Sequence, residues 1–196
     1  LGAALNNPGT QPVIAGVILC GGLSRRMGRA KAGVELGGRS LLAHVADRLR
    51  PRVDRVIAVA APHTPVPNDA HLDQVLIDAI PDRGPARALL AAARRIEADW
   101  LLVAAVDLPL ADPTVFSSPE GEVAQVAVID GKTQPLFALY PRTALLAIDL
   151  PGPERMMALL EQIPWQPVPV SGPRWENLND EAALARLVAA LPGVTD

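Results

Sequence analysis

Two stretches of this sequence, VIAGVIL (Val13–Leu19) and WLLVAAV (Trp100–Val106), carry no polar side chain, and that continuity decides the fold class. A strand with one wet face alternates apolar and polar residues, whereas an unbroken run belongs to a strand covered on both faces, as in a parallel sheet flanked by helices. Shorter strand-like runs lie at Arg55–Val59 and Gln74–Ile77, and segments of helical period at Ser40–Arg50 and Pro85–Ala98. Strands alternating with helices predict an α/β protein built from βαβ units, with a mostly parallel central sheet and helices on both faces. Further on, EVAQVAVIDGKTQPLFALY holds two strand-like runs around Asp130-Gly131, a hairpin signal that predicts an antiparallel excursion. Two more helices are expected at Glu154–Ile163 and Asp180–Ala190, with Asn179 or Asp180 as the cap of the second. The proline-rich AAPHTPVPNDAH reads as a surface loop, since each proline removes a ladder donor.

At 196 residues the chain fits one domain, expected over 13–196 with residues 1–12 as a disordered lead-in. Its net charge of −3 argues against a nucleic-acid partner. Apolar residues make up 49% of the chain but never run unbroken for the ~18 positions a membrane span needs, so no membrane partner is expected. The opening LGAALNNPGTQP lacks the charged start and apolar centre of a secretory signal. The single cysteine, Cys20, has no partner within the chain and reads as a packed small hydrophobe in a reducing compartment. Together these predict a cytoplasmic location.

After the first apolar run comes CGGLSRRMGRAK. Ligands of open α/β sheets bind at the carboxyl ends of strands. Gly21 and Gly22 allow a close backbone approach there, and successive amides can form an anion-binding concavity. Arg25, Arg26, Arg29 and Lys31 add positive charge to the same excursion, so a di- or triphosphate accounts for both features. The loop matches neither G-x-x-x-x-G-K-[ST] nor G-x-G-x-x-G. A second constellation, LLVAAVDLPL, puts Asp107 at the end of a hydrophobic strand with Pro109 stopping the ladder, so its carboxylate is expected at the same sheet edge. A hard oxygen ligand beside a triphosphate suits Mg²⁺, which binds through one or two carboxylates plus phosphate oxygens.

The stretch LCGGLSRRMGRAK resembles the L-A-G-G-x-S-x-R-M-G-x-D-K signature of the molybdenum cofactor guanylyltransferases, and the likeness continues through LGGRSLLAHVADRL, the aspartate before Gly-Pro, VDLPL, QPLFALY and ENLN. It implies a Rossmann-like nucleotidyltransferase fold and transfer of GMP from GTP to molybdopterin cofactor, releasing pyrophosphate. In that reading the backbone of Leu19, Cys20, Gly21 and Gly22 holds the nucleotide, with Asp78 and Gly84 beside the nucleoside. Arg25 and Lys31 stabilise the leaving pyrophosphate, and Asp107 binds both nucleotide and Mg²⁺. The QPLFALY segment favours the guanylyl branch, although Gln134, Pro135 and Tyr140 read from the residues alone as core and edge of a strand; the resemblance places the ENLN segment, with Asn177 and Asn179, toward the pterin. It also implies transient contact with molybdoenzyme apoproteins.

This chain departs from the signature at Ala30, where an aspartate is usual, and at GPARA, where Arg87 and Ala88 replace small residues of G-P-L-A-G. These differences leave cytidylyl transfer to molybdopterin, another small-substrate nucleotidyltransferase, and a nucleotide-binding homologue impaired in turnover as the alternatives.

Overall fold

Covering both faces of the two apolar runs is what organises the chain. The computed structural model describes residues 11–20, 30–78, 83–149, 151–178 and 180–190. Strand β1 (Ile14–Leu19) is followed by a short hairpin of β2 (Glu35–Leu36) and β3 (Arg39–Ser40), then α1 (Leu41–Leu49), β4 (Arg55–Ala60) and β5 (Gln74–Ile77). Next come α2 (Pro85–Ala93), β6 (Trp100–Ala105), β7 (Ala124–Ile129), β8 (Lys132–Pro141), α3 (Arg142–Leu146), α4 (Met156–Leu160), β9 (Trp165–Val170) and α5 (Glu181–Ala190). The main sheet has the order β5-β4-β1-β6-β8-β7-β9. Its β5-β4-β1-β6 half is parallel, β8 runs antiparallel between β6 and β7, and β9 pairs parallel with β7.

The alternation of side chains along each strand sorts the core into two layers. Ile18, Val56, Ala58, Leu102, Ala104 and Phe137 pack under α1 and α5 on one face. Ala15, Val17, Ile57, Val59, Leu101, Val103 and Tyr140 pack under α2, α3 and α4 on the other. At β1 and β6 both layers are buried, as the lack of polar alternation predicts. From β1 the chain moves outward through α1 to β4 and β5, then returns through α2 on the opposite face to lay β6 on the other side of β1. The strand order therefore reverses between β1 and β6, and a crevice opens at their carboxyl ends.

Three aspartates pin the register at the opposite edge of the sheet. Asp54, Asp73 and Asp99 each stand just before a strand, and each bonds twice to one residue of its neighbour. The Asp54 amide donates to Ile14 O at 2.9 Å and its carboxylate accepts from Ile14 N at 2.8 Å. Asp73 does the same with Val56 at 2.8 and 2.6 Å, and Asp99 with Val13 at 2.9 and 2.8 Å. A one-residue slip would present every side chain to the wrong layer, so these double clips secure the pattern that the core requires.

The elements expected from the sequence are largely present, and the differences have physical causes. Ser40 is the cap of α1 rather than its first residue, its Oγ accepting from Ala43 N at 3.1 Å, and Asp180 caps α5 by accepting from Ala183 N at 2.8 Å. The other expected cap, Asn179, lies outside the described residues, as does most of the lead-in. Helix α2 stops at Ala93, short of the expected Ala98, because Arg95 N bonds Ala92 O and the Arg94 guanidinium takes the carbonyls of Leu90 and Ile148. The chain then turns Ile96 into the core. The expected helix from Glu154 begins only at Met156, since Glu154 is drawn out to clasp α2: its carbonyl accepts from Ala86 N at 3.4 Å and its carboxylate from Arg83 Nε at 2.8 Å. Strand β9, WQPVPV, has no sequence forecast because its two prolines argue against a ladder. Pro164 O accepts from Ala124 N of β7 and Val170 O from Asp130 N just past it, so Pro167 and Pro169 fall on the outer side, where a missing donor costs nothing.

Two outcomes follow. Val56 N is the largest influence holding the Asp73 carboxyl below its ordinary value, with Arg50 adding to it. A depressed folded-state value contributes stability above the unfolded pKa of about 3.9 and loses it as pH falls through the folded one. Asp73→Ala should lower stability by about 1 kcal/mol at pH 7, a figure discounted for exposure. The gap from the parent narrows under acid, as urea unfolding at pH 7 and pH 3 will register. Gly84 has φ +87°, and a Cβ there would lie 2.2 Å from Glu154 O. Gly84→Ala should therefore cost at least about 2 kcal/mol in the same assay.

Candidate active site

Of the predicted residues within the described part of the chain, Lys31 and Asp107 meet beyond the carboxyl ends of β1 and β6, and Leu19 and Cys20 stand at the end of β1. Leu19 ends β1, and Cys20 follows it with its amide donating to Val59 O at 2.8 Å. That amide is committed to the sheet and is not available to a ligand. Burial pushes the Cys20 thiol up to about 12, which fits packing rather than nucleophilic attack. Gly21, Gly22, Arg25, Arg26 and Arg29 lie outside the described residues.

Lys31 is placed by a 3₁₀ turn, Lys31–Gly33, in which Val34 N bonds Lys31 O at 3.0 Å. Ala32 and Val34, both fully buried, anchor that turn in the layer beneath α1. The lysine is thus carried to the end of β6, where its Nζ lies 3.8 Å from Asp107 Oδ2. Asp107 follows β6 in a turn closed by Leu108 N on Ala105 O, with Leu108 and Leu110 packed into the core. Burial pushes the Asp107 carboxyl above its ordinary range, and Lys31 pulls the other way. At 3.8 Å the pair is an ion pair without a tight hydrogen bond, so the carboxylate oxygens keep acceptor capacity for a third group.

Asp78 directly follows β5 and is held by its amide on Ala60 O at 2.8 Å, so it stands on the same edge two strands from β1. Gly84 caps α2, whose first turn opens onto this edge. The need for glycine at that position comes from the Glu154 backbone, an explanation that requires no ligand. Arg87, the departure from G-P-L-A-G, is four-fifths buried and lies 3.9 Å from the Glu154 carboxylate already engaged by Arg83. The sequence gives no hint of Glu154 as its partner, since 67 positions separate them and no helical or strand spacing relates them.

A third segment closes the site from the carboxyl-terminal side. Leu178 N donates to Asp107 O at 2.7 Å, which puts the neighbouring Asn177 beside the crevice. Trp175 holds this segment down: its ring meets Phe137 at 5.6 Å and Phe137 meets Phe116 at 5.2 Å, pairs each worth about 0.5–1.5 kcal/mol. Ion pairs from Arg174 to Asp112 and from Arg186 to Glu176 add to the hold. His44, buried in part, bonds Leu36 O through Nε2 at 2.7 Å and has a structural part only.

Among the described residues no cluster of three or more His, Cys, Asp or Glu side chains could cage a metal. One carboxylate at the crevice nevertheless fits Mg²⁺, an ion that takes few protein ligands and completes its shell with phosphate oxygens and water. The arrangement can therefore hold a polyphosphate against a cation at the end of β6, with no nucleophile needed from the protein.

A family model described as the MobA-like NTP transferase domain matches residues 16–168. The chain is 43% identical over 146 residues to a molybdenum cofactor guanylyltransferase of Rhizobium meliloti (strain 1021), covering 68% of this chain and 65% of that protein. It is 33% identical over 191 residues to a probable molybdenum cofactor guanylyltransferase of Mycobacterium avium (strain 104), covering 90% and 96%. The chain thus spans just under two thirds of the first relative and almost all of the second. The crystal structure of molybdopterin-guanine dinucleotide biosynthesis protein A from Archaeoglobus fulgidus shares the fold, with a TM-score of 0.64 at 21% identity over 90% of this chain and 97% of that one. With a matched span that runs from β1 into β9 and takes in Lys31, Asp78 and Asp107, the chain belongs to the MobA-like NTP transferase domain family.

Proposed function

We propose that this protein transfers GMP from GTP to molybdopterin cofactor, with Mg²⁺ bound at Asp107. The observation that carries the reading is the Lys31–Asp107 pair at the switch point between β1 and β6, joined by the relatives' names. An oxygen of the pterin's terminal phosphate attacks the α-phosphorus of GTP. A new P–O bond forms there, the bond from the α-phosphorus to the bridging oxygen breaks, and pyrophosphate leaves with the electron pair. No oxidation state changes. Such a transfer asks the protein for positioning and charge stabilisation more than for covalent chemistry.

The parts divide along the sheet. Leu19 and Cys20 at the end of β1 and Asp78 and Gly84 beyond β5 hold the nucleotide on the β5-β4-β1 side, together with Gly21 and Gly22. Lys31 and Arg25 bear on the negative charge that grows on pyrophosphate, and Asp107 fixes the cation's place. When bound, Mg²⁺ supplies Lewis-acid stabilisation of the phosphate oxygens. With the nucleotide on one side of β6, the β8-β7-β9 side is left for the acceptor, the direction from which an in-line attack can come. Direct hand-over of the product to molybdoenzyme apoproteins in the cytoplasm completes this reading.

The test is pyrophosphate release with GTP, Mg²⁺ and molybdopterin cofactor. Asp107→Asn should lower kcat about a hundredfold or more, as loss of a group that stabilises transition-state charge does. Lys31→Ala should weaken GTP binding in calorimetry and lower kcat as well. CTP turned over as fast as GTP would overturn the guanylyl assignment, and an Asp107→Asn variant with parent activity would remove Asp107 from the site.

A further inference from the structure

The hairpin of β7 and β8 contains an irregularity that re-aims one side chain. Near β6 the pairs are Gln125 with Leu139 and Val126 with Ala138, but beyond that point Ala127 pairs with Gln134 and Val128 with Thr133. Pro135, Leu136 and Phe137 are therefore extra on β8. Directly opposed residues of an antiparallel pair share a face. Gln134 accordingly sits on the side of Ala127, which belongs to the layer containing Cys20, Ala32, Val106, Phe137 and Leu178. With regular pairing an even-numbered position here would share the side of Leu136, Ala138 and Tyr140, in the layer under α2. The bulge thus turns Gln134 to the face that carries the Lys31 turn and the segment bonded to Asp107.

Its place along the strand is equally specific. The last pair between β6 and β8 is Ala104 with Phe137, so Lys132 to Leu136 continue past the end of β6, alongside the turn that bears Asp107. Bulges recur next to active sites, where they redirect side chains. This one is fastened from within: Tyr140, fully buried, donates its hydroxyl to Pro135 O at 2.7 Å, satisfying a carbonyl inside the extra segment. The two strand glutamines also differ in what they bond. Gln125 is buried and its amide exchanges bonds with Ser117 N, Oγ and O. Gln134 is half-buried, and its amide makes no hydrogen bond to another described residue.

We propose that Gln134 contacts the acceptor, and that the Tyr140–Pro135 bond is the latch that aims it, which makes Tyr140 a positioning residue. The inference rests on the guanylyl-transfer reading, in which the acceptor occupies the β8 side. A glutamine amide offers one donor group and one acceptor oxygen side by side, complementary to the lactam edge of a pterin ring.

Steady-state kinetics with the full chain, GTP, Mg²⁺ and molybdopterin cofactor tests it, beside calorimetry with GTP alone. Gln134→Ala should raise the acceptor KM about five- to tenfold, with kcat within twofold and GTP affinity unchanged. Tyr140→Phe should reproduce that pattern, and the double variant should fall no further than Gln134→Ala, since Tyr140 acts through Gln134. The proposal is overturned if Gln134→Ala leaves the acceptor KM unaltered, if the two effects multiply, or if GTP affinity moves with them. Should Tyr140→Phe fail to fold, Gln134→Ala decides alone. A parent enzyme inert with all three reactants removes the guanylyl reading itself, whereas an active parent with unaffected variants removes only this inference.

Discussion

The pairing of β1 with β6 is the constraint on which the rest depends. Residues Ile14 to Leu19 align one to one with Trp100 to Ala105, although some 80 positions separate them. Because β6 joins β1 only after the chain has gone outward and come back on the other face, the strand order reverses at their carboxyl ends. Both partners of the Lys31–Asp107 pair are delivered to those ends by turns anchored in one hydrophobic layer. The double clips at Asp54, Asp73 and Asp99 serve this geometry from the far edge. A slip of one residue there would misplace Asp107 as surely as it would spoil the packing.

Much of this was readable beforehand because burial writes itself into composition. VIAGVIL and WLLVAAV announce strands with two dry faces, and Asp130-Gly131 announces its turn, with both residues at positive φ as a tight hairpin requires. Lys31, Asp78 and Asp107 could be named because each stands at or near the end of such a run or in its following loop, where topology leaves little freedom. What stayed hidden has no local signature. The Glu154 clasp on α2 depends on a contact between distant loops, and it shortens a helix whose own sequence would permit two more residues at its start. The face of Gln134 depends on three extra residues whose surplus becomes visible only against β7. Strand β9 conflicts with its own prolines until the side on which they fall is known.

Cations do two different kinds of work in this chain. Arg52, Arg94 and Arg142 donate to the main-chain carbonyls of Phe116, Ile148 and Ala93, tying loops to helices where no strand ladder can reach. Arginine suits that task, since its planar fork spans separate acceptors and stays charged. Lys31 is different: a compact charge on a flexible stem, its Nζ 3.8 Å from the Asp107 carboxylate. In the proposed reaction the arginines build the scaffold and the lysine bears on the charge of the leaving group.

Strand β9 has a consequence for the company this molecule keeps. Its inner side is fully engaged, while Pro167 and Pro169 strip two amides from the outer side. An arriving backbone would find carbonyls there but almost nothing to donate to it, so the sheet ends at β9 and resists growing into a neighbour's.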